Sequence, residues 1–111
     1  MDSILTSVKK MLGITEEYTH FDADIIMHIN SVFVVLKQMG VGPNEGFFIE
    51  DKTSTWDEFI EDAYECNAVK TYMYAKVRLI FDPPQSSSHI KCLEDTVKEF
   101  EWRLHWEAEL S

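Results

Sequence analysis

The run VKTYMYAKVRLIFDPP at residues 69–84 leaves this chain few ways to fold. Val69, Tyr72, Met73, Val77 and Ile80 recur at the i, i+3, i+4 spacing of one helical face, and Ala75, Leu79 and Phe81 widen that face beyond an ordinary amphipathic stripe. A helix this apolar has to be covered on several sides. Pro83 and Pro84 end it, since neither has an N–H to donate and Asp82, standing before a proline, is pushed out of the α region. Asp82, Pro83 and Pro84 therefore make a sharp structural corner. Ser86, Ser87 and Ser88 follow, any of which suits the cap of a new helix.

The segments around this run read as helices that pack on it. Residues 3–12 form a short helix capped by Asp2 or Ser3, with Ile4, Leu5, Val8, Met11 and Leu12 on one face and Gly13 as a left-handed terminator. A second helix is expected to start with Asp22 as cap and Phe21 stapled on Ile26. Ile25, Ile29, Val32, Leu36 and Met39 line its face, with Ile26, Phe33 and Val35 beside them, until Gly40 ends it. Its β-branched residues lower helix propensity, so a strand through residues 31–36 competes. Thr55 and Glu58 have the form of a capping box, so a helix begins at Thr55 and either merges with the central one or breaks near Asp62. After the corner, Ile90, Leu93, Val97, Phe100 and Leu104 alternate spacings of three and four, a heptad-like stripe that faces the central helix.

Only four Gly and three Pro in 111 residues leave little for the turns of a β sandwich. The expected fold is all-α: one domain over residues 1–111, a small bundle of about five helices, with a long loop after the second. That loop, residues 40–54, carries Phe47 and Phe48, which read either as a lid on the core or as a contact for another subunit. Trp102 and Trp106 lie one turn apart and roughly opposite the stripe of the last helix. Either the first helix or the loop folds over them, or they and Leu110 belong to an interface, where tryptophan is a common energetic anchor.

The formal net charge is −10. Ten basic residues among twenty acidic ones do not form the patch that a nucleic-acid backbone requires, so DNA binding is disfavoured. An acidic wall that repels DNA and lets it slide is compatible with this charge. Asp57, Glu58, Glu61, Asp62 and Glu65 read as one acidic ridge, solvated or facing such a passage, whose like-charge pairs at i, i+4 do not serve helix stability.

No chemistry is legible. His20, His28, His89 and His105 have no metal-ligand spacing, Cys66 and Cys92 read as reduced thiols rather than a disulfide, and no nucleophile elbow or phosphate-binding glycine loop occurs. Glu61, Asp62 and Glu65 approximate half of the Mg²⁺ site of all-α nucleotide pyrophosphohydrolases, but Glu94, Glu99 and Glu101 do not supply the other half. No catalytic, cofactor or metal residue is assigned. No apolar run approaches a membrane span and the N-terminus lacks a leader pattern, so a cytoplasmic, unprocessed protein is expected.

The opening DSILTSVKKMLGI, the ADIIMHINSVFVVLKQMGVG segment, VKTYMYAKVRLIFDPP followed by SSS, and the closing EFEWRLHWEAE together resemble the tailed-bacteriophage head-tail connector (adaptor) family over nearly the whole chain. The resemblance implies a non-enzymatic structural subunit, made in the host bacterial cytoplasm and built into the virion at the head-tail interface. It implies a homo-oligomeric ring, twelvefold by the resemblance alone, that docks on the portal protein and extends the DNA channel. A stopper or tail-completion protein would bind its far side, DNA would pass without specific binding, and the end beyond Trp102 would be a candidate for the portal. The alternative reading from composition is a small acidic protein-binding regulator, with imitation of DNA as its way of binding.

Overall fold

The computed structural model describes residues 2–110, which fold into five helices with no strand among them: α1 (Ile4–Met11), α2 (Asp22–Gln38), α3 (Trp56–Phe59), α4 (Ala63–Phe81) and α5 (Ser87–Leu110). The molecule is a slab of 39 × 35 × 20 Å. Its core joins buried faces of α1, α2 and α4 to Val41 and Ile49 from the loop, Trp56 and Phe59 from α3, and Leu104 from α5.

The central helix is α4. Val69, Tyr72, Met73, Ala75 and Val77 are buried all round it, as its apolar breadth requires, and α2 and α5 pack on it most extensively. The expected face shortens at its end: Ile80 is exposed, while Phe81 beside it packs on Phe21. Asp82 leaves the helix at φ −147°, ψ 68°, and Arg78 Nε donates to its carbonyl at 2.8 Å. Across the corner Ser86 Oγ accepts from the His89 N–H at 3.3 Å, opening α5. Tyr72 meets Glu101 while Glu65 faces Glu107, so α5 descends as α4 climbs and the two are antiparallel.

Residues 31–36 are helical within α2, since Val32, Phe33 and Leu36 bury at helical spacing and tertiary packing overrides the β-branched propensity. Gly13 and Gly40 both sit at positive φ and close α1 and α2 in the same way. The next N–H reaches back past each turn, Ile14 to the Lys9 carbonyl at 2.8 Å and Val41 to the Leu36 carbonyl at 2.9 Å.

Two expectations at the start of α2 are corrected. Asp22 is the first helical residue and makes no cap. Its Oδ1 instead lies 2.8 Å from the ammonium of buried Lys9, which also donates to the Glu16 carbonyl at 3.0 Å. Phe21 packs edge-to-face on Phe81, with centroids 5.4 Å apart, and so anchors α2 to α4. The pull of Lys9 on Asp22 joins α1 to α2, and α1 is further sewn to α3: Ile4 N–H donates to the Ser54 carbonyl at 2.9 Å, and Trp56 Nε1–H donates to Ser7 Oγ at 2.7 Å.

The long loop is ordered by the core. Phe47 is half-buried against Phe33 and Phe59, at 5.2 and 5.3 Å between centroids, so its ring closes the core as a lid. Phe48 points the other way and is 65% exposed. Gly42, at φ +92°, lets the backbone pass so close to Phe59 that a β-carbon there would fall 2.4 Å from the ring.

Candidate functional site

Five acidic residues are separated by the break between α3 and α4, which overturns their reading as one helical ridge. Ile60 is extended and Glu61 lies between the helices, so the i, i+4 pairs 57 with 61 and 61 with 65 do not exist as helix neighbours. Several of these carboxylates do serve helix stability, contrary to expectation. Glu58 Oε1 accepts from the Thr55 N–H at 2.7 Å, completing the capping box, and Asp62 Oδ1 accepts from Tyr64 and Glu65 N–H at 2.8 and 3.2 Å. Asp57 stands in the first turn of α3, where negative charge offsets the helix dipole, whereas at Glu65, in the first turn of α4, burial and neighbouring carboxylates outweigh that benefit. Burial, with the nearby Glu107 and Asp62 carboxylates, raises the Glu65 pKa above the usual glutamate value.

Asp57 and Glu61 remain exposed beside a shallow open recess that Cys66 and Lys70 also line. Among the described residues no group of three or more His, Cys, Asp or Glu side chains is placed to hold a metal ion. Burial pushes the Cys66 thiol up, away from the reactive thiolate, and Cys92 is exposed; both are free.

The concentrated surface feature is on α5. Leu93 and Leu104 of the predicted stripe are buried on α4, with Ile90, Val97 and Phe100 half-buried beside them. That seam fixes the rotation of the helix. Two residues on from Phe100 is about 200° round the helix, so Trp102 and then Trp106 must face away from α4. They do, 66% and 51% exposed, their indoles stacked 5.9 Å apart and 7° from parallel. Neither α1 nor the loop covers them. Met39, at the end of α2, with Glu101 and His105, completes an open groove of about 320 Å³ along the two rings. Leu110 extends the apolar line one turn further and is 70% exposed.

The support beneath this ridge is polar and rigid. Tyr72, fully buried in α4, donates its hydroxyl to Glu101 Oε2 at 2.7 Å, and the same carboxylate oxygen lies 3.8 Å from Lys76. Burial first, then the Glu101 carboxylate, drives the Tyr72 pKa well above the usual phenol value, so the hydroxyl stays a donor. Glu101, the residue before Trp102, is thereby tied to α4. Nothing in the sequence pattern shows this link, since a tyrosine on an apolar face reads only as core.

Of the interface candidates, Trp102, Trp106 and Leu110 lie together, Phe48 is exposed on the loop, and Phe47 is taken up by the core. Large apolar side chains at this exposure, lined up on one helix, are of the kind that protein docking surfaces use.

The chain matches the phage connector protein family over residues 4–111, nearly its whole length, and belongs to that family. It is therefore a structural connector of a phage, a component of the virion whose partners are other head-tail proteins. No curated protein and no solved structure matches it significantly. No helix among the described residues is long and apolar enough to cross a membrane.

Proposed function

We propose that this connector subunit assembles with copies of itself into a ring that docks on the portal, extends the DNA channel and joins head to tail. The observation that carries the reading is the stacked Trp102 and Trp106 pair, which with Leu110 leaves an apolar ridge in water on the isolated protomer. Such a ridge is stable in solution but gains free energy whenever a neighbour covers it. Portal docking at this end of α5 is the assignment that fits best, with Phe48 and Ile80 left for contacts between protomers. The charge of −10 suits the lining of a conduit, because a wall without clustered cations offers DNA no counterion exchange.

Electron microscopy of the protein mixed with purified portal tests this. A ring of extra density on the portal, absent with Trp102→Ser/Trp106→Ser, is expected; bare portals with the parent protein in excess count against it.

A further inference from the structure

The bundle has a second exposed aromatic surface at the end opposite the tryptophans. Phe21 leads into α2 and Phe81 ends α4; between them and around them sit Tyr18, His20 and His28. His20 meets the Phe21 ring edge-to-face at 4.8 Å, Tyr18 lies 5.9 Å from it, and His28 is 6.2 Å from Phe81. Tyr18 is 49% and Phe21 37% exposed. Edge-to-face contacts fix Phe21 against His20 and Phe81, and about half of Tyr18 and a third of Phe21 stay in water.

The charge around the cluster is one-sided. Between Lys10 and Lys37 the chain has no lysine or arginine, while Glu16, Glu17, Asp22 and Asp24 fall within that stretch, and Asp82 follows Phe81. Lys9 pairs with Asp22 and Arg78 with Asp82, Lys52 lines a recess with Glu16, and among the described residues Glu17 and Asp24 are in no ion pair. The C-terminus of α4, the negative end of its dipole, also points to this corner. Aromatic faces in a negative field attract guanidinium and ammonium groups.

We infer that the Tyr18, Phe21 and Phe81 cluster is a second docking surface, taking a cationic protein segment that presents arginine or lysine beside apolar side chains. It lies at the far end of α4 from the Trp102 ridge, so the subunit holds two different partners at two ends. The inference does not depend on what covers the tryptophans.

The test is a titration of the full-length protein with a synthetic peptide of alternating leucine and arginine, read by amide chemical shifts. Saturable binding, weakening as salt rises, with shifts centred on Tyr18, Phe21 and Phe81, is expected. Tyr18→Ser/Phe21→Ser should weaken it about tenfold or more, and Trp102→Ser/Trp106→Ser should not change it. Since the first variant removes packing on Phe81, a second keeps the rings and reverses the field. Glu17→Lys/Asp24→Lys should abolish binding, while Glu94→Lys/Asp95→Lys, with the same change in net charge, should retain it. Equal loss in both charge variants, shifts spread over the whole acidic surface, equal binding of a leucine-glutamate peptide, or self-association through Phe21 would each overturn the inference.

Discussion

The side chain of Asn30 holds Ile49 by both of its backbone groups: the amide nitrogen donates to the Ile49 carbonyl at 2.9 Å and the amide oxygen accepts the Ile49 N–H at 2.8 Å. One residue of α2 thus fixes a buried point of the long loop as a strand partner would, and carries Phe47 and Phe48 to opposite sides of it. Two hydrogen bonds at about 1 kcal/mol each make Asn30→Ala a loss of about 2 kcal/mol. Urea unfolding measures that loss. Hydrogen exchange should show the Ile49 amide opening first, ahead of α4.

Glycine substitutions separate strain from collision. Gly13 and Gly42 both have positive φ, but a β-carbon at Gly13 meets nothing within 4 Å whereas one at Gly42 runs into Phe59. Gly13→Ala should cost about 1 kcal/mol, the backbone penalty alone. Gly42→Ala should cost visibly more, with near-ultraviolet dichroism altered as the Phe33, Phe47 and Phe59 cluster shifts.

Among the acidic residues, Asp62→Ala should lower stability by about 1 kcal/mol through the lost cap of α4, and Glu61→Ala should change it little. Similar values for both in thermal unfolding would return these side chains to a single solvated face.

Glu65 gives a pH dependence with a definite sign. Its folded pKa is raised, first by burial and then by Glu107 and Asp62, so the folded state binds its proton more tightly than the unfolded chain. The resulting stability is present in acid and is lost as pH rises from the ordinary glutamate value through the raised one. Glu65→Gln should therefore raise the melting temperature at neutral pH, with the gain vanishing below about pH 4. A gain that persisted in acid would assign the effect to packing instead.

Much of this architecture is legible in the residue pattern, and the exceptions share a cause. The Pro83 and Pro84 corner, the Thr55 and Glu58 box, the Gly13 and Gly40 stops and the seam of α5 are local signals, set by missing donors, free N–H groups and periodicity. Outward-facing Trp102 and Trp106 follow from that seam by rotation alone. What the pattern hides is long-range. Asp22 is drawn off its cap by Lys9, and Asn30 finds its partner across a loop. Tyr72 reaches Glu101 from another helix, and Phe47 enters the space beside Phe33 and Phe59 while Phe48 stays exposed. Of the acidic ridge only the i, i+4 pairing fails, because the chain breaks at Ile60, close to the break near Asp62 that the pattern left open; Asp57, Glu58, Glu61 and Asp62 are all exposed.

Trp102→Ser/Trp106→Ser should leave the protomer folded, at a cost of about 1 to 3 kcal/mol, since half or more of each ring is in water and neither belongs to the core. Far-ultraviolet dichroism and a cooperative melt check the fold; yield of joined heads and tails in an assembly reaction checks the function, and only the second should collapse.

The central claim is that the α5 ridge is covered in the finished particle. Hydroxyl-radical footprinting of the protein alone and within purified virions reads this directly, with Trp56, 3% exposed in its fold, as internal reference. Protection of Trp102 and Trp106 in the virion to the level of Trp56, from ready oxidation in the free protein, is the predicted result. Equal oxidation of both indoles in the two states would contradict it.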